Sequence, residues 1–600
     1  MGDDLFLIDI LKLLANPYLR LKMPMKRMKV FLLVLFVGSS VLVHASPSPT
    51  RLQCYIRIWG FLKYYHPAIT EGMVEADTAF LHHLDKINEC NNTSEFRSAI
   101  AAMIATLEKV NPGTNQEVRD TASLFFKNDH TPDLFSNILL PKHIQAYLRT
   151  LRRTGVQTAK HVYMPENFHT TELPAEKYYK ALQFPNIPFQ LLALARYWNA
   201  IEYLFPYKYM LKRSWISVLR EATPVFMKPL SLVGYEEGLM HLNAAIEDSH
   251  GGILSVKNSG DVYGRYFPPF TFRFVGDSIV VKDYVDTVAC IQQHIQPGDV
   301  ITEVRGRTVG QLMQDYQLYT SASNVTKQKT QLASLRLLLP FRGKDSVINI
   351  SIVHNGKAVL QKLRLQIPDV KFRNDLTAIY QYENRNGTTQ HDFVLRSIDP
   401  GVAWIDAANL SVLYNTSEED HGIDSIMTLM RSHSKAILID LRCYATQAVF
   451  FNKFLPALGR KLGNFASLRP HYNKFPGVYY DFDAYADVPA PALLDKYPGK
   501  VILLVNENTH SQSEWVSMML QSSGPTITVG IQTSGADGDL IDLPMPGGYT
   551  LGFSGRHVAY PDGRPSQQLG VKIDRHVKIT TQGIAGGRDE ILEAAMKAVR

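Results

Sequence analysis

Cysteine is scarce in this 600-residue chain, and the four present (Cys54, Cys90, Cys290 and Cys443) have no metal-type spacing. So small a number excludes a disulfide framework of the kind that staples small secreted domains. Cys54 and Cys90 could pair within the N-terminal helices, though nothing in their spacing requires it. No HExxH, Walker or dinucleotide glycine signature is present, so the sequence gives no ground for a metal, ATP or NAD, and no cofactor is expected. Dense basic runs are missing too. The formal charge of +7 falls to +4 once residues 1–45, with six Lys/Arg and three acids, are set aside. So mild a charge gives no reason to expect a nucleic-acid partner. The apolar stretch Val30 to Val43 is too short to span a bilayer comfortably.

That stretch has another use. Lys26, Arg27 and Lys29 precede it, and Val43-His44-Ala45 follows with small residues suited to cleavage, the pattern of an export signal over residues 1–45. The expected mature chain starts near Ser46 and is exported: periplasmic in a Gram-negative source, or secreted. Met25 or Met28 is a better start than Met1 for such a signal, which leaves residues 1–24 outside it. No cysteine follows the cleavage site, which argues against a lipid anchor. The full chain has 45% hydrophobic and 20% charged residues, ordinary for a folded protein, and is too long for one core.

A repeat organises the first part. Arg57-Ile58-Trp59 and Arg196-Tyr197-Trp198 lie 139 residues apart, and at the same offset Tyr64 meets Tyr203 and Pro67 meets Pro206. Both stretches have helical apolar spacing. The second ends in the polar turn Glu247-Asp248-Ser249-His250-Gly251-Gly252; the first ends in Glu108-Lys109-Val110-Asn111-Pro112, with no Ser-His pair. The expected organisation is a first helical copy at 46–130, a linker at 131–190 rich in Pro, His and Tyr, and a second copy at 191–256. From about Phe267 short β-branched and aromatic strands take over, with the Pro297-Gly298-Asp299 turn, and set a β-rich domain at 262–368. Residues 390–600 alternate strands (Val402–Ile405, Ala436–Leu441, Val501–Val505, Thr526–Val529) with helix-like segments, which predicts an α/β architecture.

Chemistry concentrates after the third of those strands, in Asn506-Glu507-Asn508-Thr509-His510-Ser511-Gln512-Ser513-Glu514. A serine where a strand meets a helix lies near unpaired helix N–H groups that favour a developing oxyanion. The bland alternative is that Ser511-x-x-Glu514 is a capping box.

Asn506, Glu507, Thr509, Ser511, Ser513 and Glu514 match a motif of the type N-E-x-T-x-S-x-S-E, and with it the chain resembles the tail-specific (C-terminal processing) serine peptidases. The resemblance extends to Ile439-Asp440-Leu441-Arg442, Thr533-Ser534-Gly535-Ala536-Asp537-Gly538, Tyr560-Pro561-Asp562-Gly563 and Gly570-Val571-Lys572-Ile573-Asp574, over about residues 190–600. It implies a crotonase/ClpP-like α/β core, a PDZ-like domain at 262–368, and Ser511 as nucleophile acting on peptide or protein substrates. The chain departs from the family at Ala536, where many members carry the lysine of a Ser-Lys dyad. It departs again at Cys443-Tyr444-Ala445-Thr446, where glycines that help form the oxyanion hole are usual, and at Ile573, where a proline is usual. A branch typified by the tricorn core uses a Ser-His pair and a distant glutamate instead. Ser249-His250 resembles that pair, and Gln567 stands where the glutamate would be. The resemblance thus implies His250 as general base, helped by Ser249 and Gln567, with the Gln512 and Thr446 amides as oxyanion donors. The alternative is a catalytically silent member of the same fold that binds peptides or other ligands.

Overall fold

The computed structural model describes residues 48–108, 124–125, 132–157, 161–165, 173–182, 184–253, 256–354, 356–384, 392–416, 421–482 and 493–600. The export signal and the Asn111-Pro112 turn lie outside the described residues. Helices α1 (Pro49–Tyr65), α2 (Ala76–Glu89) and α3 (Thr93–Glu108) form the first copy of the repeat. In the second copy stand α4 (Ile187–Leu204), α5 (Trp215–Phe226) and α6 (Leu232–Ala244). Helix α4 starts where the Asn186 side chain accepts the Phe189 N–H at 3.3 Å, with proline in the first turn. It is buried on every side from Gln190 onward, which is why its sequence is largely apolar and its buried polar residues, such as Arg196 and Asn199, are paired.

The repeat is visible as geometry. The Trp59 indole donates to the Ala76 carbonyl at 2.7 Å, and the Trp198 indole donates to the Trp215 carbonyl at 2.9 Å. Both acceptors are the first residue of the following helix. Helices α1 and α4 cross at Gly60, where any Cβ would collide with the Asn199 side chain, and Asn199 Nδ2 donates to the Ile56 carbonyl at 3.0 Å. Gly60 and Asn199 are themselves equivalent positions of the repeat. The Tyr64 and Tyr203 rings meet at 4.8 Å, so the copies pack through matching faces.

The described residues within 131–190, expected as a linker, pack as part of the helical core. They include a helix, Lys142–Thr154, and bury Leu134, Phe135, Ile144, Leu148, Tyr163 and Met164 in the helical core. The proline and tyrosine content of the stretch hides a short amphipathic helix with a basic outer face. Buried Glu176 from this stretch pairs with Lys63 of the first copy and Arg196 of the second, and Arg196 also pairs with Asp77. These ions join three segments of one core.

Strand β1 (Gly252–Ile253) follows the second copy directly. Then come β2 (Phe270–Val275), β3 (Ser278–Tyr284), β4 (Val300–Val304), β5 (Val347–His354) and β6 (Lys357–Arg364), antiparallel neighbours in that order. Ile348, Ile350 and Ile352 of β5 point into this domain's core, the period-two pattern of a half-buried strand. Helix α7 (Val325–Ala333) lies against β2.

The C-terminal sheet contains β7 (Leu395–Asp399), β8 (Val402–Asp406), β9 (Ala436–Asp440), β10 (Lys500–Val505) and β11 (Ile527–Gly530). A hairpin of β12 (Leu540–Met545) and β13 (Tyr549–Ser554) follows, then β14 (Arg575–His576). The spatial order is β14-β11-β10-β9-β8-β7, parallel except for β7. Helix α8 (Gln512–Ser523) packs in the core on one face, and α9 (Glu590–Val599) covers the other. Cover on both faces explains the unbroken apolar runs of β8 to β10. The fold is mixed α/β, as expected.

The hairpin does not belong to this sheet. Ile541, Leu543, Met545, Tyr549, Leu551 and Phe553 sit in the helical core, and β13 pairs with β1 (Leu551 with Ile253, Gly552 with Gly252). The boundary expected at residue 256 is therefore crossed by a late segment of the chain. Among the described residues, no helix is long and apolar enough to cross a membrane.

Candidate active site

Strand β10 delivers the chain into a turn that is fastened at each step. The Asn506 N–H donates to Thr509 Oγ1 at 3.0 Å, the Asn508 N–H to Asn506 Oδ1 at 2.9 Å, and the Thr509 hydroxyl to the Leu441 carbonyl at 2.7 Å. Ser511 then adopts φ +51°, ψ −114°, a backbone conformation costly for any residue with a Cβ. Its hydroxyl makes no capping bond to α8, so the capping-box reading does not hold. Glu514 works elsewhere: its buried carboxyl accepts from the Thr533 hydroxyl at 2.5 Å, the Gly535 N–H at 2.9 Å and the Ala536 N–H at 3.0 Å. Burial raises this carboxyl to about 7 in spite of those donors. In return, the Ser511 N–H donates to the Ala536 carbonyl at 3.1 Å, locking the 533–537 loop onto the turn. Ser513 is a fastener, donating to the Cys443 carbonyl at 2.6 Å and accepting the Ala445 N–H at 2.8 Å.

The first amide of α8, that of Gln512, makes no hydrogen bond to protein among the described residues, as is usual for the opening N–H groups of a helix. Thr446 does not fit the role expected of it. Its N–H donates to Ser411 Oγ at 2.9 Å, so it is not available to an oxyanion. The Tyr444 hydroxyl, from the same turn, lies against the side chains of Ser511 and Gln512. Arg442, just after β9, pairs with Asp440 at 2.7 Å and with Asp589, the residue capping α9, at 2.8 Å, a structural clasp.

His250 reaches the Ser511 turn from the helical region, between α6 and β1. Its ring packs edge-on against His510 with centroids 4.8 Å apart, which places the imidazole beside the residue preceding Ser511. No hydrogen bond joins His250 directly to Ser511; its Nδ1 lies 2.8 Å from Ser554 Oγ at the end of β13. Burial lowers the His250 pKa below its ordinary value, Asp248 and Asp539 oppose the shift, and Lys327 of α7 adds to it. His510 is lowered further by burial, Lys327 and His250. Both rings are thus neutral near pH 7, the form in which an imidazole accepts a proton. Burial also lowers the Lys327 ammonium, against the pull of Glu514 and Glu507.

The other two expected residues act differently from expectation. The Ser249 hydroxyl donates to the Ser534 carbonyl at 2.8 Å and accepts the Ser323 N–H at 2.9 Å, fastening three loops. Gln567 Nε2 donates to Asp248 Oδ1 at 3.0 Å and to Ser323 Oγ at 3.3 Å, not to the imidazole. Two residues escaped the sequence reading. Asp248 is fully buried, and Ser554 bridges it to His250. Asp248 was in view within the 247–252 turn; nothing in the sequence marks Ser554.

All four cysteines are buried free thiols, so Cys54 and Cys90 are not joined. Among the described residues, no group of three or more His, Cys, Asp or Glu side chains is placed to hold a metal ion.

The model of Peptidase family S41 matches residues 457–577, the segment that carries Ser511 and Gln567. That match supports a serine-type peptidase. No curated protein matches the chain. Among solved structures, mature CPAF complexed with lactacystin shares 12% identity at TM-score 0.52, covering 69% of this chain and 98% of that one. Another structure of mature CPAF gives 12% and 0.52, covering 69% and 96%. The photosystem II D1 C-terminal processing protease gives 14% and 0.33, covering 66% and 96%. At 12% identity, the CPAF likeness speaks to the fold.

Proposed function

We propose that this chain is an exported serine peptidase of the tail-specific type, in which Ser511 attacks a peptide carbonyl and His250 takes its proton. The observation that carries this reading is Ser511 itself: a serine held at φ +51° on a strand-to-helix turn, its hydroxyl unused by the helix, with a neutral imidazole packed on the preceding residue, His510. The family match over residues 457–577 supports peptide-bond hydrolysis. Attack gives a tetrahedral intermediate whose oxyanion lies at the Gln512 amide. Protonation of the leaving amine by His250 leaves an acyl-enzyme, which water then hydrolyses. In this reading the α/β core is crotonase/ClpP-like, the β-rich domain is PDZ-like, and the export signal puts the enzyme in the periplasm or outside the cell.

One observation favours the silent alternative, a peptide- or ligand-binding protein: the Thr446 amide is committed to Ser411, which leaves the oxyanion hole a donor short. Labelling of the purified chain with a fluorophosphonate, alongside Ser511→Ala, separates the two. Stoichiometric labelling of the wild type, absent in Ser511→Ala, is expected; a wild type that stays unlabelled and hydrolyses no peptide library means a binding protein.

A further inference from the structure

We propose that Asp248 and Ser554 form a relay that fixes the tautomer of His250 and supplies the negative charge that stabilises its protonated state. The proposal rests on the reading of His250 as the base. It assigns to a neighbour in sequence and a strand end the work that Gln567, an uncharged amide bonded to Asp248 and Ser323, does not perform.

The hydrogen-bond accounting is closed. Asp248 Oδ2 accepts the Ser554 N–H at 2.6 Å, and Oδ1 accepts the His250 N–H at 3.2 Å and Gln567 Nε2 at 3.0 Å. The two backbone amides can only donate. The Gln567 amide group turns its NH2 to the carboxylate and leaves its own Oε1 without a partner, a cost the opposite orientation would exceed by setting oxygen against oxygen. Asp248 is therefore purely an acceptor, and the Ser554 hydroxyl, 2.9 Å from Oδ1, gives it its one proton. Ser554 Oγ then presents a lone pair to His250 Nδ1 at 2.8 Å, and Nδ1 has to carry the ring proton. Nε2 is left with the free lone pair, which is what a general base needs.

The proton count follows. In acylation the Ser511 proton moves to Nε2 and the ring becomes a cation, while its Nδ1–H stays on Ser554 Oγ and Asp248 stays a carboxylate. When the amine leaves, it takes the proton from Nε2, and the starting tautomer returns. Four groups face the imidazole: Asp248 from its own turn, Asp539 ahead of β12, Lys327 from α7 and His510 from the nucleophile's turn. Asp539 is engaged with Arg556, and Lys327 and His510 disfavour a cation, so Asp248 is the counter-charge connected to the ring through hydrogen bonds.

The test compares Ser554→Ala, Asp248→Asn and Gln567→Glu with wild type and His250→Ala in the full chain, by kcat and KM against pH and by thermal melting. Ser554→Ala is expected to lower kcat about 10- to 100-fold at unchanged KM, the cost typical of losing a group that orients a functional side chain. It should also move the acid limb of the profile to lower pH, because the cation loses its link to Asp248. In Asp248→Asn the new NH2 donates to Ser554, turns the hydroxyl toward Nδ1 and moves the ring proton to Nε2. A loss on the order of 10²–10⁴-fold is expected there, the full worth of a general base. Gln567→Glu sets a second carboxylate against Asp248 and should lower kcat, whereas a glutamate acting directly on His250 would raise it. Ser554→Ala with wild-type kcat and an unmoved acid limb overturns the relay, as does a gain in Gln567→Glu. Should Asp248→Asn fail to fold, Ser554→Ala, which keeps the amide bond to Oδ2, decides alone. A His250→Ala variant with wild-type kcat overturns the base reading and the relay with it, whatever the other variants do.

Discussion

Ser511 is held by neighbours from its own part of the chain: Leu441 through Thr509, Cys443 through Ser513, and Ala536 through Glu514, all within the C-terminal sheet region. His250 is held by residues far away in sequence, with Ser554 at a separation of 304 residues and the Asp248–Gln567 bond spanning 319. A strand, a fastened turn and a helix suffice to strain Ser511 into place. His250 is in place only when a hairpin from late in the chain has docked on helices from its beginning. One half of the site is thus a local motif and the other a product of assembly, and substitutions in the two halves should fail in different ways.

The largest effect is expected at Ser511. Ser511→Ala and Ser511→Gly should both abolish labelling and hydrolysis, but the glycine variant should be the more stable by about 1 kcal/mol, because only glycine relaxes at φ +51°. Melting curves with the alanine variant equal or ahead would remove the strain from the account. On the assembled side, His250→Ala should cost roughly 10²–10⁴-fold in kcat and erase the acid limb. Lys327→Met should instead shift that limb to higher pH, since Lys327 holds the His250 pKa down. If His250→Ala were mild and Lys327→Met silent, the lysine would be the base, and both halves would need redrawing. Trp59→Ala should remove about 3–5 kcal/mol of stability, the usual range for a buried aromatic, and leave kcat of the folded fraction unchanged. A kcat loss with no change in melting would tie the first copy to the chemistry.

The smallest effect concerns Glu514. Its folded carboxyl sits at about 7 against an ordinary 4.5, so the native state holds its proton more tightly than the unfolded chain does. The stability this contributes is complete below about pH 4.5 and is lost as pH rises through 7, a swing on the order of 1–3 kcal/mol. Denaturation of wild type and Glu514→Gln at a series of pH values should show the variant flatter over that window. Parallel curves would assign the slope to other groups.

The parts legible in the sequence are those encoded by near neighbours. Strands β8 to β10 announce themselves because both faces are covered and the runs 402–405, 436–439 and 501–505 are wholly apolar, and Ser511 because a strand, a polar turn and an amphipathic segment are adjacent. The repeat shows because Trp59 and Trp198 each need a helix start seventeen residues on. The misreadings have the opposite cause. Thr446 sits where the family places a donor, but its amide is claimed by Ser411, 35 residues away. Gln567 sits where the family places a glutamate, yet the nearby carboxylate belongs to Asp248. The helix at Lys142–Thr154 was lost in a composition rich in proline and tyrosine. Ser554 ends a strand whose alternating residues show only that it has a buried face, not that the face is buried in another region's core.

That hairpin also sets a timetable. The helical region leaves the ribosome first, yet its core lacks Ile541, Leu543, Met545, Tyr549, Leu551 and Phe553 until the chain is nearly complete. Until then β1 has no partner strand, and His250 has no Ser554 to hold its ring. A chain cut short before residue 554 therefore leaves the helical core without these six side chains and His250 without its contact to Ser554. The connectivity itself acts as a clock: the 247–252 turn is completed only once the hairpin has been made.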